Sequence, residues 1–83
     1  MAMKITVIGL GYLGATHAIA MAELGHEVIG IEANPQRLTD LQNGVVPFYE
    51  PGLDEALANV LKKGNIKFKA DHDEESLEAD LHF

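Results

Sequence analysis

The sequence predicts an α/β fold in which strands and helices alternate and the strands pair in a parallel sheet. Three observations lead to this prediction: an apolar, β-branched segment at residues 4–8, a glycine-interrupted helical segment at 12–24, and a second apolar segment at 26–32. Strands that alternate with helices pair in parallel, and the crossovers that join them are right-handed. The 83 residues suffice for one domain at most.

The first half of the chain is expected to form a β-α-β unit. Residues 4–8 (KITVI) suit a strand that is buried on both faces of a parallel sheet. Residues 12–24 are predicted to be a helix that ends at Gly25. Its apolar stripe would comprise Leu13, His17, Ala20, Met21 and Leu24. Residues 26–32 (HEVIGIE) return to the pattern of a strand.

The second half is expected to add two helices, a strand and the start of another strand. Asn34 and Pro35 are typical of a helix N-cap and first helical position. The predicted elements are, in order, a helix from Pro35 that ends at Gly44, a loop at 45–50 (VVPFYE), a helix from about Pro51 to Gly64, a strand at 66–69 and a strand that begins at Leu81. The order is therefore β-α-β-α-α-β, followed by the start of a fourth strand.

No metal site is predicted. Six of the ten residues from Asp71 to Asp80 are carboxylates, but they lack the spacing of a calcium loop and suit a solvated short helix or loop. Packing or solvated roles are expected for all four histidines, which are His17, His26, His72 and His82.

Composition argues against several classes of partner. The formal net charge is −7 and the six basic residues are scattered, which is unsuited to nucleic acid or to an anionic membrane. The chain has no cysteine, which fits a reducing cytoplasm. The uncharged run from Ile5 to Ala22 also has features of a signal peptide, but its glycines, Thr16 and His17 interrupt the apolar helix that such a segment needs.

The segment between the first strand and the first helix contains the pattern G-x-G-x-x-G. Gly9 would permit a tight turn, Gly11 would let a diphosphate approach the backbone, and Gly14 would let the helix pack closely. Free N–H groups at the helix start would bind the diphosphate. Glu32 ends the second strand and could accept hydrogen bonds from a ribose diol, which favours NAD over NADP. Arg37 could contact the adenosine or be an exposed helix residue.

The context of these glycines identifies a partial Rossmann fold that binds a dinucleotide. A strand precedes them, a helix follows, and a second strand with a terminal acidic residue lies at the expected distance. The alternative is a β-α-β unit without a ligand, as in flavodoxin-like folds.

The segment MKITVIGLGYLGATHAIAMAELGHEVIGIEANPQRLTDLQNG resembles the N-terminus of the UDP-glucose/GDP-mannose dehydrogenase family. The next residues, VVPFYEPGLDEAL, resemble a Pro-aromatic-Glu-Pro-Gly-Leu turn that is typical of UDP-glucose dehydrogenases, and EADLHF resembles the family's following strand. The family usually has Asp where Glu32 stands and often Lys where Arg37 stands. The cofactor-binding residues that the resemblance implies are Gly9, Gly11, Tyr12, Leu13, Gly14, Glu32 and Arg37.

The resemblance implies an NAD-dependent enzyme that oxidises C6 of UDP-glucose to give UDP-glucuronate with two NAD⁺. In this family a cysteine captures the intermediate aldehyde, and the catalytic residues lie later in the family's chain. Residues 1–83 are therefore expected to be the N-terminal part of a dinucleotide-binding domain, without the substrate and catalytic domains. On this interpretation the chain alone is catalytically inactive, and a nucleotide sugar is a partner only of the full-length parent.

Truncation at the start of the fourth strand would leave one edge of the first strand largely uncovered, and such an edge could pair with a second copy to form a homodimer. Two alternatives to the nucleotide-sugar enzyme remain. One is a stand-alone NAD-sensing regulatory module, and the other is a dehydrogenase of the hydroxyacyl-CoA or 6-phosphogluconate type. The segment VVPFYEPGL argues against both.

Overall fold

The computed structural model describes residues 2–46, 48 and 50–83, which form a parallel sheet of four strands in the order β3-β2-β1-β4. In chain order the elements are β1 (Lys4–Ile8), α1 (Tyr12–Glu23), β2 (Glu27–Ile31), α2 (Pro35–Gln42), α3 (Leu53–Lys63), β3 (Ile66–Lys69), α4 (Glu74–Leu77) and β4 (Leu81–His82). The predicted α/β class and element order are confirmed. Pro47 and Tyr49 of the predicted loop lie outside the described residues.

The hydrophobic core lies between one face of the sheet and the three longer helices. Alternate strand residues contribute to it, and these are Ile5, Val7, Val28, Ile66 and Phe68. Leu41 from α2 and Leu57 from α3 are fully buried in the same cluster. Successive side chains of a strand point to opposite faces, so this alternation directs one face of every long strand toward the helices.

The opposite face of the sheet is only partly covered. Thr6 is fully buried there, and its hydroxyl donates to the backbone carbonyl of Ser76 in α4 at 2.8 Å. Ile8, at the end of β1, remains 52% exposed. The expectation that the whole first strand is buried on both faces is therefore wrong at its carboxyl end.

Helix α1 buries its small side chains rather than the predicted apolar stripe. The buried residues are Ala15, Ala18, Ile19 and Ala22. Leu13 and Leu24 of the predicted stripe are 81% and 72% exposed. A face of alanines lets the helix axis approach the sheet closely, and this close approach determines which face is buried.

The carboxyl-terminal residues pair with β1 along most of its length. Ile5 and Thr6 align with Leu81 and His82. Three further backbone hydrogen bonds extend this pairing: Asp80 N–H to Lys4, Phe83 N–H to Thr6 and Ile8 N–H to Phe83, each at 2.8 Å. The predicted uncovered edge of β1 is therefore a wrong expectation, because a few residues suffice to satisfy its backbone groups. The open edge on this side belongs to β4.

The acidic segment contains α4, whose start is stabilised by a capping box. The Asp73 carboxylate accepts from the Ser76 N–H at 3.0 Å, while the Ser76 hydroxyl accepts from the Asp73 N–H at 2.9 Å. Lys69 of β3 pairs with Asp73 and Glu75 at 2.6 and 2.9 Å. Across the described residues there is no cluster suited to a metal ion and no helix long and apolar enough to cross a membrane.

Candidate dinucleotide-binding site

A tight turn between β1 and α1 forms the centre of the candidate site. Gly9 has a φ of +82°, which glycine adopts without steric cost, and its N–H donates to the Ile31 carbonyl at 2.9 Å. The Leu10 side chain enters the core and is fully buried. A Cβ on Gly30 would lie 2.8 Å from Leu10, so the absent side chain at Gly30 makes room for this anchor.

Gly14 brings the first turn of α1 into direct contact with this glycine-rich turn. A Cβ on Gly14 would lie 2.0 Å from the Gly9 carbonyl oxygen and 3.1 Å from its carbonyl carbon. Real Cβ atoms essentially never show contacts under 3.0 Å, so any larger residue would push the helix away. The close approach expected at Gly14 is present, and the group it meets is the turn itself.

Gly11 leaves the N-terminus of α1 open. A Cβ on Gly11 would meet no atom within 4 Å, and no side chain caps the helix at this N-cap position. The N–H groups of the first turn, which include those of Tyr12 and Leu13, have no partners within the helix and lie at the positive end of its dipole. A diphosphate fits here, because the residue whose side chain would stand in its way is a glycine.

An open cleft of about 650 Å³ lies against this helix end. Its lining includes Ile8, Gly11, Leu13, His17 and Phe83. The His17 and Phe83 rings meet edge to face with their centroids 4.3 Å apart. His17 of α1 was not among the predicted site residues, and its ring partner Phe83 directly follows β4.

Glu32 lies at the end of β2 with its carboxylate directed at the glycine-rich turn. One oxygen accepts from the Leu10 N–H and the other from the Asn34 N–H, both at 2.9 Å. The residue is only 7% exposed. Each carboxylate oxygen has a second lone pair, so these bonds leave capacity for a ribose diol. The Glu32 carboxylate thus holds the glycine-rich turn in place.

The electrostatic surroundings favour the ionised form of Glu32. Burial raises the pKa of its carboxyl, but the hydrogen bonds from the Asn34 and Leu10 backbone and the nearby Arg37 together outweigh this effect, and the net pKa is lowered. Arg37 adds to the lowering, since its guanidinium lies 3.6 Å from the carboxylate. Arg37 therefore leans toward Glu32 from the first turn of α2, and its side chain is 38% exposed.

The structure brings all the predicted cofactor residues to one edge of the sheet. Gly9, Gly11 and Gly14 form the turn and the helix start, and Glu32 closes it from β2. Sequence reasoning missed Leu10, although an apolar residue between two glycines of a turn indicates an anchor. It also missed Glu50, whose carboxylate accepts from the Tyr12 hydroxyl at 3.0 Å. These two residues are 38 positions apart.

Comparisons with known proteins agree with this geometry. Residues 3–83 match the model of the UDP-glucose/GDP-mannose dehydrogenase family, NAD-binding domain. The chain is 32% identical over 81 residues to a UDP-glucose 6-dehydrogenase of Bacillus subtilis, and 35% identical over 79 residues to a GDP-mannose 6-dehydrogenase of Pseudomonas syringae. The alignments cover 98% and 95% of this chain and 18% of each relative.

A solved structure is similar over the whole chain. It is a UDP-glucose dehydrogenase from the archaeon Pyrobaculum islandicum, with a TM-score of 0.92 and 38% identity. The match covers 100% of this chain and 19% of that one. The chain therefore spans about a fifth of the length of the relatives that it matches.

Proposed function

The chain belongs to the UDP-glucose/GDP-mannose dehydrogenase family, within its NAD-binding domain, and from that premise we propose that it is the cofactor-binding part of an enzyme that oxidises UDP-glucose at C6 to UDP-glucuronate. NAD⁺ would be the hydride acceptor in this oxidation. The observation that carries the cofactor-binding part of the proposal is the open N-terminus of α1 at Gly11, next to a Glu32 carboxylate that is oriented by two backbone N–H groups.

The described residues would share the binding of the dinucleotide. The backbone of Gly11, Tyr12 and Leu13 would hold the diphosphate, while Glu32 would accept from the ribose hydroxyls. The same carboxylate would repel a 2′-phosphate, so NAD is the expected cofactor rather than NADP. Arg37 would contact the adenosine side of the site from α2.

UDP-glucose is proposed as the substrate because of the segment PFYEPGL at 47–53, which is typical of UDP-glucose dehydrogenases. Relatives of both the UDP-glucose and the GDP-mannose type match the chain, so the alternative sugar nucleotide is GDP-mannose. A stand-alone NAD-sensing module would share the glycine-rich turn, but the family match through this segment favours the enzyme.

The catalytic residues are proposed to lie outside residues 1–83. The chain has no cysteine to capture an aldehyde intermediate. Purified chain incubated with UDP-glucose and NAD⁺ should therefore produce no NADH. NADH formation by the pure chain would contradict this part of the proposal.

Calorimetric titration with NAD, NADP and ADP-ribose tests the cofactor site. We expect weak binding of NAD and of ADP-ribose, and weaker binding of NADP. Glu32→Ala should reduce the affinity for NAD more than that for NADP, because only the unphosphorylated ribose gains hydrogen bonds from the carboxylate. Equal losses for the two nucleotides would show that Glu32 does not bind the ribose.

Self-association through an open sheet edge is also proposed, with β4 rather than β1 as the pairing strand. Residues 81 and 83 carry apolar side chains that are 39% and 51% exposed. Sedimentation velocity across a range of concentrations tests this, and a monomer at every concentration would contradict it.

A further inference from the structure

A contact that the glycine motif does not explain joins the start of α1 to the segment between α2 and α3. The Tyr12 hydroxyl donates to a Glu50 carboxylate oxygen at 3.0 Å. The Tyr12 and Phe48 rings also meet edge to face, with their centroids 4.9 Å apart. Tyr12 is the first residue of α1 and is 52% exposed, so a hydrophobic core does not account for its orientation.

Described residues on both sides of Glu50 make contacts that do not involve Tyr12. The Val46 N–H donates to the Asp54 carboxylate at 3.1 Å, and the Leu53 N–H donates to the Glu50 carbonyl at 3.0 Å. Val46 is buried and Phe48 packs against the core. The Glu50 carboxylate is therefore presented to Tyr12 from a supported backbone.

The electrostatics show that the contact is a charge-assisted hydrogen bond. The hydrogen bond to Glu50, together with its negative charge, raises the pKa of the Tyr12 phenol. Tyr12 thus remains protonated at neutral pH, and its hydroxyl donates to the Glu50 side chain. At 3.0 Å the bond lies at the long end of the range for O–H···O hydrogen bonds.

Two effects of Glu50 on a bound diphosphate oppose each other. Its negative charge would repel the diphosphate, whereas its bond to Tyr12 fixes the first residue of α1. This hydrogen bond is exposed to solvent, so water and salt screen the charge of the carboxylate. The positioning effect is therefore expected to prevail.

We propose that Tyr12 and Glu50 are positioning residues for the cofactor, because their hydrogen bond fixes the direction of the first N–H groups of α1, at the helix end where the diphosphate would bind. This inference rests on the proposed NAD-binding function. A binding site depends on groups held to within a fraction of an ångström, so loosening this helix start weakens binding without altering the fold.

Four variants test the proposal by calorimetry with NAD and ADP-ribose. Tyr12→Phe and Glu50→Ala each remove the bond and should weaken both ligands about fivefold to tenfold. Glu50→Gln keeps an acceptor for the hydroxyl and should stay within about twofold of the wild type. The double variant Tyr12→Phe/Glu50→Ala should bind no more weakly than either single variant. Tighter binding by Glu50→Ala, or no change in any variant, would overturn the proposal.

Glu55→Ala is the matched control, because it removes one exposed carboxylate from the first turn of α3. It should leave the affinity for NAD within about twofold. A loss equal to that of Glu50→Ala would show that the effect is one of general charge and would also overturn the proposal.

A readout without cofactor separates this inference from the proposed function. Spectrophotometric titration should show Tyr12 ionising at lower pH in Glu50→Ala than in the wild type, with Tyr12→Phe reporting Tyr49 alone. An unshifted titration with intact NAD binding would refute the inference only. A shifted titration without any NAD binding by the wild type would refute the proposed function, and with it the cofactor role of Tyr12 and Glu50.

Discussion

Replacing Gly14 with alanine is expected to separate α1 from the glycine-rich turn. The new Cβ would lie 2.0 Å from the Gly9 carbonyl oxygen, so the gap must widen by about 1 Å before it reaches a tolerated contact of 3.0 Å. Both groups belong to the backbone and cannot rotate away as a side chain would. Gly9 is further held by its hydrogen bond to Ile31.

The cost of Gly14→Ala follows from two opposing contributions. Forcing extra atoms into a closely packed site costs about 1–3 kcal/mol. A clash with a backbone group, which cannot rotate away, is expected to cost about 3 kcal/mol. The higher helix propensity of alanine offsets up to about 1 kcal/mol of this cost. The free energy of unfolding should therefore fall by about 2 kcal/mol, which lowers Tm by roughly 8–16 °C for a domain of this size.

Urea unfolding followed by circular dichroism measures this loss, and Gly11→Ala is the matched control. A Cβ on Gly11 meets no atom within 4 Å, and φ at this residue is −67°, which alanine adopts readily. The free energy of unfolding of Gly11→Ala should stay within about 0.5 kcal/mol of the wild type. NAD binding should be lost, because the methyl group would occupy the diphosphate position. A Gly14→Ala chain as stable as the wild type would refute the reasoning, as would equal destabilisation by both variants.

Three other predictions concern the stability of the fold and of the candidate site. Leu10→Ala should lower the free energy of unfolding by about 2–5 kcal/mol in urea titrations, because it empties a fully buried position, and it should weaken ADP-ribose binding. Ser76→Ala should cost about 1 kcal/mol by the same assay, since the buried hydroxyl bonds to both backbone groups of Asp73. The lowered pKa of Glu32 stabilises the fold above the unfolded-state pKa of about 4.3, and this contribution is lost as pH falls through the folded-state pKa. The stability difference between the wild type and Glu32→Gln should therefore shrink on acidification, and a constant difference would contradict that assignment.

The sequence predicts most of the fold because its turn and cap residues report on local conformation. Asn34 caps α2 with its side chain, as expected from its type and from the proline that follows. Gly9 has the positive φ that a tight turn requires. These residues act within a few positions of themselves, so one sequence suffices to recognise them.

Other features depend on contacts between distant segments and could not be predicted from one sequence. The stripe of larger apolar residues on α1 suggested the wrong buried face, because the distance between helix and sheet is set by Gly14 and by the small face of the helix. The bond between Tyr12 and Glu50 joins residues 38 positions apart. Its existence depends on how α3 packs against α1, which no local pattern encodes.

Glu32 connects the stability of the glycine-rich turn to the proposed binding of the ribose, because the same carboxylate would serve both. A ribose ligand must be oriented before the nucleotide arrives, and the bonds to Leu10 and Asn34 provide that orientation in the free chain. An exposed carboxylate would lose side-chain entropy on binding, whereas this one has already lost it on folding. The longer side chain of glutamate, compared with the aspartate usual in the family, reaches both the turn and the start of α2. A Glu32→Asp variant would shorten that reach, so its stability and its affinity for NAD should fall together, whereas a fall in affinity alone would separate the two roles.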